Sequence, residues 1–270
     1  MHHGNQCGCD VGDTNKEYMI VTAYNISNQE SQKISIETMI GWNSRIILTH
    51  NDNCLHMIGG SKNVTHIMLD IYTQKTTIIH DFSEVYESIM GQGLLFNKTR
   101  QQMYMFGGIC SPKALFFADF WICDIKMDRH KMKKIISSWS RLALNANVSI
   151  PPEIVNLIVS FDGYNWNKND LFKLPIALRA FGCVLYDDRV IIIVGGDTFH
   201  YAPKHSVYYL DLNSDQGWIK TEYKLAKGGW CNAVMINHDA IYVLPYYDWD
   251  DYYEIAVDDI LPQRLITPLV

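Results

Sequence analysis

The sequence predicts an all-β protein built from a repeated four-stranded unit. Two observations carry this. The first is a run that occurs three times: an apolar strand ending in Gly-Gly, a loop, then a β-branched or aromatic strand ending in Asp followed by Ile or Leu. Its copies join Gly59-Gly60 to Asp70-Ile71, Gly107-Gly108 to Asp124-Ile125, and Gly195-Gly196 to Asp211-Leu212. Self-similarity at such a period is the signature of a repeat architecture. The second is composition: 48% hydrophobic and 12% aromatic residues in a chain of 270 supply ample material for a packed core.

Taken in order, residues 1–16 are polar and Gly-rich and read as a flexible tail. Cys7 and Cys9, with His2, His3 and Asp10, form one C-x-C pair without a second, so a frayed terminus is the plainer reading than a metal site. Residues 18–24 and 34–39 alternate as strands and look like the last two strands of a unit. Four units follow within a domain spanning 17–270. The first has strands at 45–49, 54–60, 66–71 and 76–79; the second at 93–97, 102–108, 119–125 and 135–142, the last with Trp139. The third has 182–186, a hairpin at Asp187-Asp188, then 190–196, 207–212 and 218–223. The fourth, with 231–236, 240–244 and 252–257, is degenerate: Pro245-Tyr246 stands where the double glycine belongs. An insertion at about 143–178 interrupts the array. Ile154, Leu157, Ile158 and Phe161 fall at helical spacing behind Pro151-Pro152, predicting a short amphipathic helix over 152–161.

Four-stranded sheets with two apolar faces bury themselves by stacking radially, which gives a β-propeller. Paired glycines at the end of the second strand allow positive φ and close backbone approach where space is short. The Asp that closes the third strand caps a turn, and Trp139 and Trp218 seal neighbouring sheets.

The pattern over residues 43–260 resembles the kelch repeat, with its structural glycines matched at Gly59, Gly60, Gly107, Gly108, Gly195 and Gly196. The resemblance implies a propeller of about four to five blades. That count leaves open a fragment of a larger ring or a divergent small one. It also implies a protein–protein interaction scaffold with no chemistry of its own, no cofactor and no metal, acting on a protein partner. Residues 151–161 are similar to the opening helix of an F-box, which implies as an alternative a substrate-recognition subunit of a ubiquitin ligase. A further alternative comes from kelch-type metal enzymes, among them a copper radical oxidase using Tyr, Cys and His. The tyrosines and histidines here show no recognisable ligand spacing.

Strand parity sorts the loops. In an antiparallel four-stranded sheet, the loops after the second and fourth strands share one end, so 61–65, 109–118, 197–206 and the 143–178 insertion are expected together. Long loops on rigid strands are where recognition sits. Phe116, Phe117, Phe199, His200, Tyr201 and His205 are therefore the candidate partner contacts, with loop-pinning as the plainer role for some.

A net charge of -6 argues against a nucleic-acid partner. The basic run 126–134 lacks aromatic interleaving, and the acidic run 248–254 lacks the EF-hand spacing. No apolar run suits a signal peptide or a membrane span. Seven scattered cysteines, mostly within apolar runs, imply reduced thiols and a cytoplasmic setting.

Overall fold

Successive strand-forming runs separated by short turns can pair only antiparallel, and every pairing among the described residues is of that kind. The computed structural model describes residues 17–25, 30–38, 45–49, 54–59, 64–70, 75–110, 113, 115–125, 165–198, 204–236, 238–245 and 252–266. It divides into two compact units, Met1–Ser88 and Ile89–Val270. The predicted tail, Gly60, the helix over 152–161 with its F-box likeness, and both charge runs up to residue 251 lie outside the described residues.

The first unit holds a hairpin, β1 (Glu17–Asn25) with β2 (Glu30–Thr38), and a sheet in the order β3 (Arg45–Thr49), β4 (Cys54–Gly59), β5 (Thr65–Asp70), β6 (Thr76–Asp81). The second unit holds three larger sheets. One joins β7 (Gly93–Asn97), β8 (Gln102–Phe106), β11 (Phe120–Asp124) and β12 (Asn165–Lys168), with a small hairpin β9 (Ile109–Cys110) and β10 (Leu115–Phe116) in the loop after β8. The next joins β13 (Gly182–Tyr186), β14 (Val190–Val194), β15 (Ser206–Asp211) and β16 (Ile219–Lys224). The last joins β17 (Cys231–Ile236), β18 (Ala240–Pro245) and β19 (Tyr253–Ala256). A 3-10 turn (Val257–Asp259) and one turn of helix, α1 (Gln263–Ile266), follow and pack Val257, Ile260, Leu261 and Leu265 onto that sheet's core.

One strand is not where the sequence reading put it. The fourth strand of the β7–β12 sheet is Asn165–Lys168, not 135–142, and it pairs Asn165 with Asp124 and Lys168 with Trp121. The excursion therefore runs between the third and fourth strands rather than after the fourth. It leaves and returns at the end of the sheet opposite the Gly-Gly loop, so it does not share the loop face that parity assigned to it. Trp166 is the buried residue of this outer strand.

Strand β14 explains the packing. Its sequence VIIIV is buried at every position. Because side chains alternate across a strand, Val190, Ile192 and Val194 enter the core shared with the β17–β19 sheet, while Ile191 and Ile193 enter the core shared with β8 and β11. Phe106 stacks on Phe120 and on Phe181 in that second core, and Trp218 lies against both Phe106 and Phe120. Its indole N–H donates to Phe172 O at 2.7 Å, so Trp218 seals two sheets as its composition suggested.

The first strands β7, β13 and β17 stand side by side. Close approach there requires small residues. A Cβ on Gly182 would lie 2.7 Å from Ala233 Cβ and 2.8 Å from Val194 Cγ2. Gly182→Val is expected to cost about 1–3 kcal/mol by overpacking, read as a lower midpoint in thermal unfolding; an unchanged midpoint would show that the two strands are not held so close.

Candidate recognition site

The paired glycines at 107–108 and 195–196 join consecutive sheets of the second unit. Gly107, Gly108, Gly195 and Gly196 all have positive φ, between 66° and 101°, which lets successive N–H groups turn outward. Gly108 N–H donates to Leu178 O at 2.7 Å, in the segment leading into β13, and Gly196 N–H donates to Gly229 O at 2.7 Å, leading into β17. Each double glycine is thus stitched to the start of the following sheet. Gly59, at the end of β4, also has a positive φ, 131°.

This seam builds a site. Beside the β9 hairpin, Met90 and Ile109 form an antiparallel bridge. At the equivalent place in the next sheet the bridge is between Arg179 and Asp197, so an apolar pair is replaced by an ionic one. Arg179 Nε and Nη2 donate to the two Asp197 carboxylate oxygens at 2.8 and 3.2 Å. Both side chains are nearly enclosed, at 11% and 5% exposure. Trp230 Nε1 donates to the same carboxylate at 2.6 Å. The guanidinium also lies over two rings, 5.3 Å from the centroid of Phe116 and 4.9 Å from that of Trp230. Planar, delocalised and weakly hydrated, an arginine suits a position between aromatic faces.

Four segments from three sheets meet here: the β8–β11 loop with Phe116, the lead into β13 with Arg179, the β14–β15 loop with Asp197, and the lead into β17 with Trp230. Apolar side chains accompany them at the surface. Leu115 is 51% exposed, and Phe116, Phe117 and Trp230 are half-buried.

Of the six predicted contacts, Phe116 is central. Phe117 sits beside it, its N–H bound to Gly108 O at 2.8 Å. His205 is exposed, but its Nδ1 lies 3.0 Å from Leu225 O and its ring fills the space beside Gly228, so it pins its own loop. Phe199, His200 and Tyr201 lie outside the described residues. Arg179, Asp197 and Trp230 escaped the sequence reading. Alignment of the repeats on their glycines would have shown Asp197 standing where the preceding unit has Ile109.

The opposite end of the sheets is polar. Asn97 Nδ2 donates to Asp188 O, Thr99 to the Asp188 carboxylate, and Arg100 to Leu212 O and Asn213, joining the β7–β12 and β13–β16 sheets. Asp187 and Asp188 both have positive φ, as the predicted hairpin requires. Asp211 caps its turn by accepting from Asn213 N–H at 3.0 Å and holds Arg189 through both oxygens.

Among the described residues no group of three or more His, Cys, Asp or Glu side chains is placed to hold a metal ion, and no helix is long and apolar enough to cross a membrane.

No family model matches the sequence, and no curated protein matches it. Solved structures do. The chain is similar to the structure of YjhT, with a TM-score of 0.60 and 12% identity over 89% of this chain and 73% of that one. It is also similar to a novel fungal alcohol oxidase of the AA5 family in complex with copper, with a TM-score of 0.51 and 10% identity over 83% of this chain and 42% of that one. The expectation of a chain without chemistry is corrected by the second likeness: the architecture hosts an oxidase, so it supplies no ground for excluding catalysis. At this face His205 pins its own loop and Asp197 is committed to Arg179 and Trp230. These likenesses show a β-propeller-like all-β fold.

Proposed function

We propose that this chain is a kelch-type propeller module of four to five blades that recognises a protein partner through the loops at the Gly-Gly end of its sheets. The observation that carries the reading is the convergence of four segments on Arg179. An arginine clamped between Phe116 and Trp230, with Leu115 and Phe117 alongside, has the residue types that dominate protein interfaces. The cross-links of Asp197 to Arg179 and Trp230 also support the reading, because a surface held by its own hydrogen bonds loses less conformational freedom on binding.

The test uses the full chain as bait for affinity capture with quantitative mass spectrometry, beside Leu115→Asp and Phe117→Ala variants of unchanged thermal midpoint. Leu115 is mostly solvent-exposed, so its substitution leaves the core alone. A protein captured by the parent and depleted at least about tenfold by Leu115→Asp is the expected outcome, the loss of one interface anchor. Equal recovery with both variants would overturn the assignment of this face.

A further inference from the structure

A second site lies at the other end of the β13–β16 sheet, away from the Arg179 cluster. A cavity of about 300 Å³ opens between the β15–β16 connection and α1. Its apolar wall comes from Tyr209, Ile219 and Leu265, and its polar side from Arg189, Asp211, Ser214 and Arg264. Two guanidinium groups face one carboxylate, so the lining carries one positive charge over.

The two arginines are not equivalent. Arg189 is held by Asp211 through two hydrogen bonds, at 3.0 and 2.7 Å, and neutralises it. Arg264 is exposed and makes no ion pair among the described residues. Ser214 Oγ accepts the Gln216 N–H at 3.2 Å, which orients the hydroxyl and leaves its proton to donate. A donor fork and a hydroxyl donor therefore stand over an apolar wall, with the single carboxylate already satisfied. That combination selects a negatively charged oxygen group and disfavours a cation.

The geometry points to a binding site for a small oxyanion, a carboxylate or phosphoryl group carried on a short apolar body. The head is held by Arg264 and Ser214 and the body rests against Tyr209 and Leu265. A cavity of this size lies at the lower limit for ligand sites, which confines the occupant to a small molecule or a single side chain.

Isothermal titration of the full chain with benzoate, phenyl phosphate and uncharged benzamide tests it. At least one oxyanion probe is expected to bind tenfold or more tightly than benzamide. Arg264→Ala is expected to weaken it about tenfold, and affinity is expected to fall as salt is raised. The stronger of the two oxyanion probes identifies the head group. Equal affinity for benzamide, no heat with either oxyanion, or affinity unchanged in both Arg264→Ala and Ser214→Ala would overturn the assignment. Because the cavity shares no residue with the Arg179 cluster, failure here leaves the recognition face untouched.

Discussion

Replacing Asp197 by alanine is expected to cost about 3–5 kcal/mol, the penalty for leaving a buried charge without its partner. At about 2–4 °C per kcal/mol for a unit of this size, the thermal midpoint of the second unit should fall by roughly 6–20 °C. The reason lies in the surroundings of Arg179: two aromatic faces and a backbone bridge leave its guanidinium little access to water. The companion experiment is a repair. Arg179→Met with Asp197→Ile installs the apolar pair found at the same bridge in the preceding sheet, Met90 and Ile109. The double variant should recover most of the loss, short of about 1–2 kcal/mol for the Trp230 N–H deprived of its acceptor. A double variant as unstable as Asp197→Ala would refute the buried-charge account.

Acid should unfold the first unit before the second. His56 and His66 are fully buried on β4 and β5, with His56 Nδ1 2.8 Å from His66 Nε2. One ring donates and the other accepts, so the pair cannot hold two protonated rings. Burial lowers the His56 pKa from 6.5 to about 4. Burial lowers His66 well below 6.5 too, with the neighbouring His56 and His80 adding to the effect. The sign follows from proton uptake. Between about 6.5 and 4 the unfolded chain holds protons that the folded unit refuses, so stability is intact above pH 7 and falls with pH through that window. The His56 shift alone corresponds to about 3 kcal/mol by pH 4. Hydrogen exchange on the full chain should show β4 and β5 losing protection at pH 4.5 while β13 to β15 keep theirs, and His56→Gln with His66→Gln should flatten the difference. Uniform protection between pH 7 and 4.5 in the parent protein would be incompatible with the neutral pair.

The second unit answers acid through a different group. Burial alone would raise the Asp211 carboxyl, but hydrogen bonds from Arg189 and Asn213 and the charge of Arg100 outweigh it and leave the group below its ordinary value. A lowered carboxyl contributes stability above its unfolded pKa and loses it only as pH falls through the lower folded value. That places its response below the histidine window.

Much of the fold was legible because it rests on local rules. Gly-Gly marks positive φ, Asp187-Asp188 marks a tight hairpin, and the apolar run before Gly195-Gly196 marks a strand. The strand Asn165–Lys168 was not legible, because an outer strand faces solvent and its sequence, Asn-Trp-Asn-Lys, has only Trp166 to bury. The apolar stretch at 135–142 was more conspicuous and drew the assignment instead. The candidate site was half legible. Phe116 and Phe117 follow from loop parity, whereas Arg179 and Asp197 stand apart in sequence and become partners only through the bridge that closes the sheet. Trp230 is recognisable only once that carboxylate has a place. The two arginines of the oxyanion cavity were hidden for the same reason, since α1 reaches β15 only in three dimensions.

The displaced fourth strand has an architectural corollary. Asp124 and Asn165 are direct partners across two neighbouring strands, so the chain departs and rejoins the sheet at points about 5 Å apart. A guest sequence grafted between β11 and β12 would need its own termini at that spacing.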